Sequence, residues 1–187
     1  INIGAPDAIM GDIFWNRYQF RAPALGNEWA YSNWVKTVVP IVEADLTINK
    51  NISRNTFVTA KGSPTFHYKI TSIDDKAEPV TYYKSITIPE GQYKGSVSFK
   101  VPGRVYKIEE LPTNDWSLVS KAPGSLSYLL NPVSNWKQVG LTQSVPWTGT
   151  QELYAVLNKG GHAQVTFTNN GSFKDYTEND EEINRLK

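Results

Sequence analysis

The chain has 187 residues, with 19 basic and 18 acidic side chains and a net charge of +1, a balance that removes the electrostatic case for nucleic acid or an anionic membrane as partner. It has no cysteine, which excludes disulfides, zinc–thiolate sites and thiol catalysis while leaving the compartment open, and no apolar run approaches the ~20 residues that span a bilayer. That length suits one well-buried domain with extensions or two small ones, of which one is favoured, and six Trp, ten Tyr and seven Phe among frequent Thr, Val and Ile point to an all-β fold.

The first stretch, residues 1–44, begins Ile1-Asn2-Ile3 without an initiator Met or a signal-peptide pattern, so the chain is expected to be an excised or processed piece. It carries Trp15, Trp29 and Trp34 among Pro6, Pro23, Gly26 and Pro40, and no hydrophobic period holds for long. It is expected to be an N-terminal extension that packs its aromatics on the domain that follows, or the remnant of a preceding domain. The sharper reading is a platform for sugars, whose faces stack on exposed Trp and Tyr.

From Asp45 the alternation becomes regular and predicts a β-sandwich over residues 45–172. Strands are expected at Leu46–Lys50, Thr65–Ile70, Tyr82–Ile88, Tyr93–Val101 and Val105–Glu110, separated by turns at Lys61-Gly62-Ser63-Pro64, Asp74-Asp75, Pro89-Glu90-Gly91 and Pro102-Gly103. Ser96, Ser98 and Lys100 alternate with Val97, Phe99 and Val101, which predicts one wet and one buried face. Between Leu111 and Thr150 the pattern fades, with Trp116, Trp136 and Trp147 set among loop residues. Glu152–Leu157, a turn at Lys159-Gly160-Gly161, and Ala163–Asn169 then read as a closing hairpin. Residues 173–187 are polar, with an acidic cluster from Glu178 to Glu182, and are expected to form a linker or tail.

Three of these strands end an apolar face with one reactive polar group. Period-two alternation aligns Leu46, Ile48 and Lys50; Tyr106, Ile108 and Glu110; and Val165, Phe167 and Asn169. Glu109 falls on the opposite face from Tyr106 and Ile108, so parity favours Glu110. An amine, a carboxyl and a carboxamide at core-facing strand ends are the ingredients of an amide bond between side chains. His67 and His162 lack companion ligands, so no metal or other cofactor is expected, and no Gly-x-Ser-x-Gly or phosphate-cradling loop suggests an enzyme acting on an external substrate.

The order DLTINK, TFHYKI, GRVYKIEE, QVTFTNN resembles the self-crosslinking domains of Gram-positive pilins and surface adhesins, the pilin isopeptide-linkage and collagen-adhesin B-type families, over Asp45 to Asn170. The resemblance implies an Ig-like, collagen-adhesin B-type sandwich on the cell wall of a Gram-positive bacterium. In those families an early-strand Lys joins a last-strand Asn, helped by the Glu of a Tyr-x-(Val/Ile/Leu)-x-Glu box; the matching positions are Lys50, Asn169 and Glu110. The resemblance further implies neighbouring domains or pilin subunits of the same fibre as partners; the alternative, read from the aromatic-rich regions themselves, is a module that binds a host glycan or protein. The chemistry needs a neutral amine to attack the Asn169 carboxamide beside a neutral acid, and burial among apolar side chains favours the uncharged amine. Such a reaction runs once, on its own chain.

Overall fold

The computed structural model describes residues 7–21, 23–26, 28–53, 63–73, 77–132 and 147–171. Trp136, the turn at Asp74-Asp75, part of the turn before Thr65 and the expected tail at 173–187 lie outside them. The strands, in chain order, are β1 (Ile13–Asn16), β2 (Gln19–Arg21), β3 (Trp29–Tyr31), β4 (Val35–Val38), β5 (Glu43–Ile52), β6 (Thr65–Ser72), β7 (Thr81–Thr87), β8 (Lys94–Pro102), β9 (Val105–Glu110), β10 (Trp116–Pro123), β11 (Ser127–Leu130), β12 (Glu152–Val156) and β13 (His162–Gly171).

Alternation along β5 buries Ala44, Leu46, Ile48, Lys50 and Ile52 and turns Asp45, Thr47, Asn49 and Asn51 outward. The same rhythm buries Phe66, Tyr68 and Ile70 in β6 and Ala163, Val165, Phe167 and Asn169 in β13. Each strand therefore offers one apolar face, and burying those faces makes two sheets. One runs β10-β13-β5-β8 and the other β11-β12-β9-β6-β7. Between them lies one core, from Leu46, Ile48, Val165 and Phe167 on one side to Phe66, Tyr68, Ile70, Ile108 and Leu153 on the other. The fold is thus all-β, a two-sheet sandwich. β13 and β5 lie parallel, and the other described pairs are antiparallel.

The expected closing hairpin does not form. The turn is present, with Gly160 and Gly161 both at positive φ, but β12 pairs with β9 and β11 while β13 pairs with β10 and β5. The chain crosses from one sheet to the other there. Alternation tells which face of a strand is buried, not which strand lies beside it, and two apolar faces can meet across the core as well as along a sheet.

Among the described residues, two strands, β10 and β11, emerge from the region without a readable period. β10 carries a bulge between Leu118 and Ser120, so Lys121 stands opposite Phe167 on the core side, where strict alternation from Trp116 places Ser120.

The N-terminal aromatics also depart from expectation. β1–β4 and β2–β3 are separate two-stranded ribbons, and Trp15, Tyr18, Trp29, Tyr31 and Trp34 are exposed instead of packed on the sandwich. A two-stranded ribbon has no second layer to cover its faces. The extension is anchored through Met10, whose amide donates to the Asn158 carbonyl at 2.9 Å and whose sulfur lies 3.4 Å from the Val42 amide.

Gly103 sits under that anchor, its amide bonded to the Val42 carbonyl at 2.7 Å. A Cβ there would stand 2.9 Å from the Leu157 carbonyl oxygen and closer still to the Met10 sulfur. Because the carbonyl belongs to the backbone, relief requires the turn to move. Gly103→Ala is expected to lower stability in urea unfolding by about 1–3 kcal/mol.

Candidate functional site

Strand parity delivers three polar side chains to a place where their neighbours are apolar. Lys50 is the fourth inward residue of β5 after Ala44, Leu46 and Ile48, and no part of it is exposed. Asn169 follows Val165 and Phe167 on the inward face of β13, and Glu110 follows Tyr106 and Ile108 at the end of β9. Because β5 and β13 are parallel neighbours with Lys50 opposite Phe167, Asn169 lies one inward position further along the adjacent strand. Glu110 reaches the pair from the facing sheet.

The structure brings all three together. The Lys50 amine donates to Glu110 Oε2 at 2.6 Å and to Asn169 Oδ1 at 2.5 Å, and Asn169 Nδ2 donates to Glu110 Oε1 at 2.5 Å. Each side chain touches the other two. The carboxamide carbon is the next atom beyond Oδ1, so amine and electrophile are held at contact distance by the fold alone.

The walls are aromatic. The Phe66 ring centroid lies 4.0 Å from Lys50 Nζ, Trp116 meets Phe66 edge-on at 5.5 Å, and Tyr68 packs on Phe167 at 5.2 Å. Burial in this setting pushes the Lys50 amine down to about 8, against the opposing pull of the Glu110 charge and hydrogen bond. A solvated lysine at neutral pH offers almost no free amine, whereas this one offers an appreciable fraction. Burial, and then the charge and close approach of the Glu110 carboxyl, hold the Tyr68 phenol far above its usual range.

Glu109 is directed away from this group, into an ion pair with Lys107 at 2.9 Å. Parity thus separates the adjacent acids. His67 faces outward on β6. His162 Nε2 lies 2.8 Å from Thr47 Oγ1, which is 2.7 Å from Ser98 Oγ on the outer face of the four-stranded sheet. Three residues at or near the site are absent from the triad read in the sequence: Phe66 and Tyr68, visible in the alternation of Thr65–Ile70, and Lys121, whose parity the β10 bulge conceals. Lys121 donates to the Gln151 carbonyl at 3.3 Å, and burial lowers its pKa.

No protein-family model matches the chain, and no curated protein matches it. Among solved structures it is similar to a bacterial adhesin from Mobiluncus mulieris containing intramolecular disulfide, isopeptide and ester bond cross-links, at 11% identity and a TM-score of 0.39 over 76% of this chain. The chain spans 45% of the length of that adhesin chain.

In Asn169→Ala, which leaves the Lys50 amine free, the depressed amine links folding to protons. The unfolded chain holds the proton more tightly, so stability rises with pH between about 8 and 10.5 and the penalty is complete below that window. Urea unfolding across this range is expected to show a rise on the order of a few kcal/mol in Asn169→Ala, absent from the Lys50→Met/Asn169→Ala double variant.

Proposed function

We propose that this domain is a structural module of a bacterial surface protein, a cell-wall-attached pilin or adhesin, which locks itself with an isopeptide bond between Lys50 and Asn169 promoted by Glu110. The observation that carries this reading is the mutual contact of amine, carboxyl and carboxamide inside an aromatic-walled core. The resemblance of the motif order to Gram-positive pilin and adhesin domains supports the extracellular, cell-wall setting.

The reaction balances without an external reagent. Glu110 Oε2 takes a proton from the Lys50 ammonium, leaving a free amine beside a neutral acid. The amine attacks Asn169 Cγ, and Glu110 passes a proton to Nδ2 as the carbon–nitrogen bond breaks. A proton from the attacking nitrogen restores the acid. Lys50 Nζ is then bonded to Asn169 Cγ, and one ammonia leaves.

The bond would close a loop spanning 119 positions, which in the chain-entropy treatment of crosslinks stabilises by about 5 kcal/mol. Its mechanical effect follows from strand direction. Tension entering β5 at Glu43 and leaving β13 at Gly171 would pass from Lys50 to Asn169 without unzipping the strands between, as suits a subunit of a fibre. A second role rests on a separate observation: the face of β2–β3 presents exposed Trp29 and Tyr31, with the Arg17 guanidinium 4.1 Å from Tyr31 and 4.7 Å from Trp34. Such a face suits recognition of a host glycan or protein, and quenching of tryptophan fluorescence by a bound ligand would report it.

Intact mass of the parent is expected to fall one ammonia below the sequence mass, with Glu109→Ala also crosslinked and Glu110→Ala retaining the ammonia. A parent at full sequence mass rules the crosslink out. In single-molecule stretching, Lys50→Ala is expected to release roughly 400 Å more chain than the parent, the length that the bond would hold back.

A further inference from the structure

The Tyr68 hydroxyl is buried in the core and makes no hydrogen bond that satisfies both distance and angle among the described residues. A buried hydroxyl without a well-formed hydrogen bond is costly and rare in folded proteins. Tyr68 is not placed at random: its Cα partner across β6–β9 is Glu110, so both side chains face the same part of the core. Its ring is held by Phe167, the Cα partner of Lys50. Glu110 Oε2 already accepts from Lys50 and Oε1 from Asn169 Nδ2, and the phenol stands close enough to the carboxyl to feel it without the alignment of a full hydrogen bond.

Condensation changes that count. The pocket exchanges an ammonium and a primary carboxamide, both rich in N–H donors, for a secondary amide with a single N–H. The departing ammonia carries away the nitrogen that served Glu110 Oε1. A buried carboxyl oxygen is then left short of a donor, next to a phenol with a proton to give.

We propose that Tyr68 is a positioning residue for crosslinking: as Nδ2 leaves Asn169, the Tyr68 hydroxyl donates to Glu110 in its place and holds the carboxyl against the new amide. The inference rests on the crosslink reading and adds a role for a residue outside the triad. No atoms enter or leave beyond the ammonia already released; one hydrogen bond replaces another. Because the bond develops as the ammonia departs, it stabilises the late part of the reaction and not the folded precursor.

Tyr68→Phe keeps the ring on Phe167 and removes only the hydroxyl. Chains made by cell-free translation and sampled by intact mass as they mature are expected to lose ammonia about tenfold more slowly in Tyr68→Phe than in the parent. Mature parent protein is expected to show a slowly exchanging Tyr68 hydroxyl proton by NMR that is shifted downfield, the shift being a sign of hydrogen bonding that burial alone does not create. Maturation of Tyr68→Phe at the parental rate, or a mature parent without a downfield-shifted hydroxyl proton, overturns the role given to Tyr68 while leaving the crosslink standing. A parent chain that never loses ammonia removes both.

Discussion

A lysine amine enclosed by hydrocarbon is the constraint from which the rest of the structure follows. Placing a charge where Leu46, Ile48 and Val165 supply the neighbouring side chains is unfavourable unless the charge is paired and fully hydrogen-bonded. Lys50 obtains both from Glu110 and Asn169, with the face of Phe66 adding a cation–π contact. Even so, a buried ion pair seldom stabilises a fold as much as well-packed apolar side chains would. That imbalance favours the chemistry proposed for the site, since condensation replaces an ammonium with an amide and removes the charge from the core.

The architecture supplies what this arrangement needs. Parallel pairing of β5 with β13 puts amine and carboxamide on neighbouring strands of one sheet, and the facing sheet contributes the acid and the two aromatic side chains from β6. Neither sheet could assemble the group alone. The outer faces obey different physics, with Thr47, Ser98 and His162 joined by short hydrogen bonds in contact with solvent and an exposed Asp45–Lys100 pair at 3.4 Å. Pairs of that kind contribute little to stability. The stability of the domain resides in the shared core.

The extension follows neither pattern. Among the described residues, eleven of the fourteen large hydrophobic side chains that are conspicuously exposed lie between Ile13 and Val42, and the ribbons that carry them meet the sandwich through Met10 and a few backbone hydrogen bonds. Aromatic content predicted burial because aromatic side chains usually fill cores. Burial, however, requires a second layer, and two-stranded ribbons do not provide one.

Period-two alternation was enough to place Lys50, Glu110 and Asn169 on core-facing strand faces and to set Glu109 aside, because side-chain direction in a strand is a local property of the backbone. It was equally enough for β5 to β9, where the apolar residues recur without interruption. It was silent on strand partnership, so β12 and β13 read as a hairpin although they lie in different sheets. It failed through β10, where one extra residue at the bulge reverses which side chains face inward. Only the tertiary structure decided that the amine, acid and carboxamide meet, that Tyr68 stands beside the acid, and that the N-terminal aromatics stay exposed. Each of these depends on contacts between residues distant in the chain, and a repeating pattern within one strand carries no information about what lies across from it.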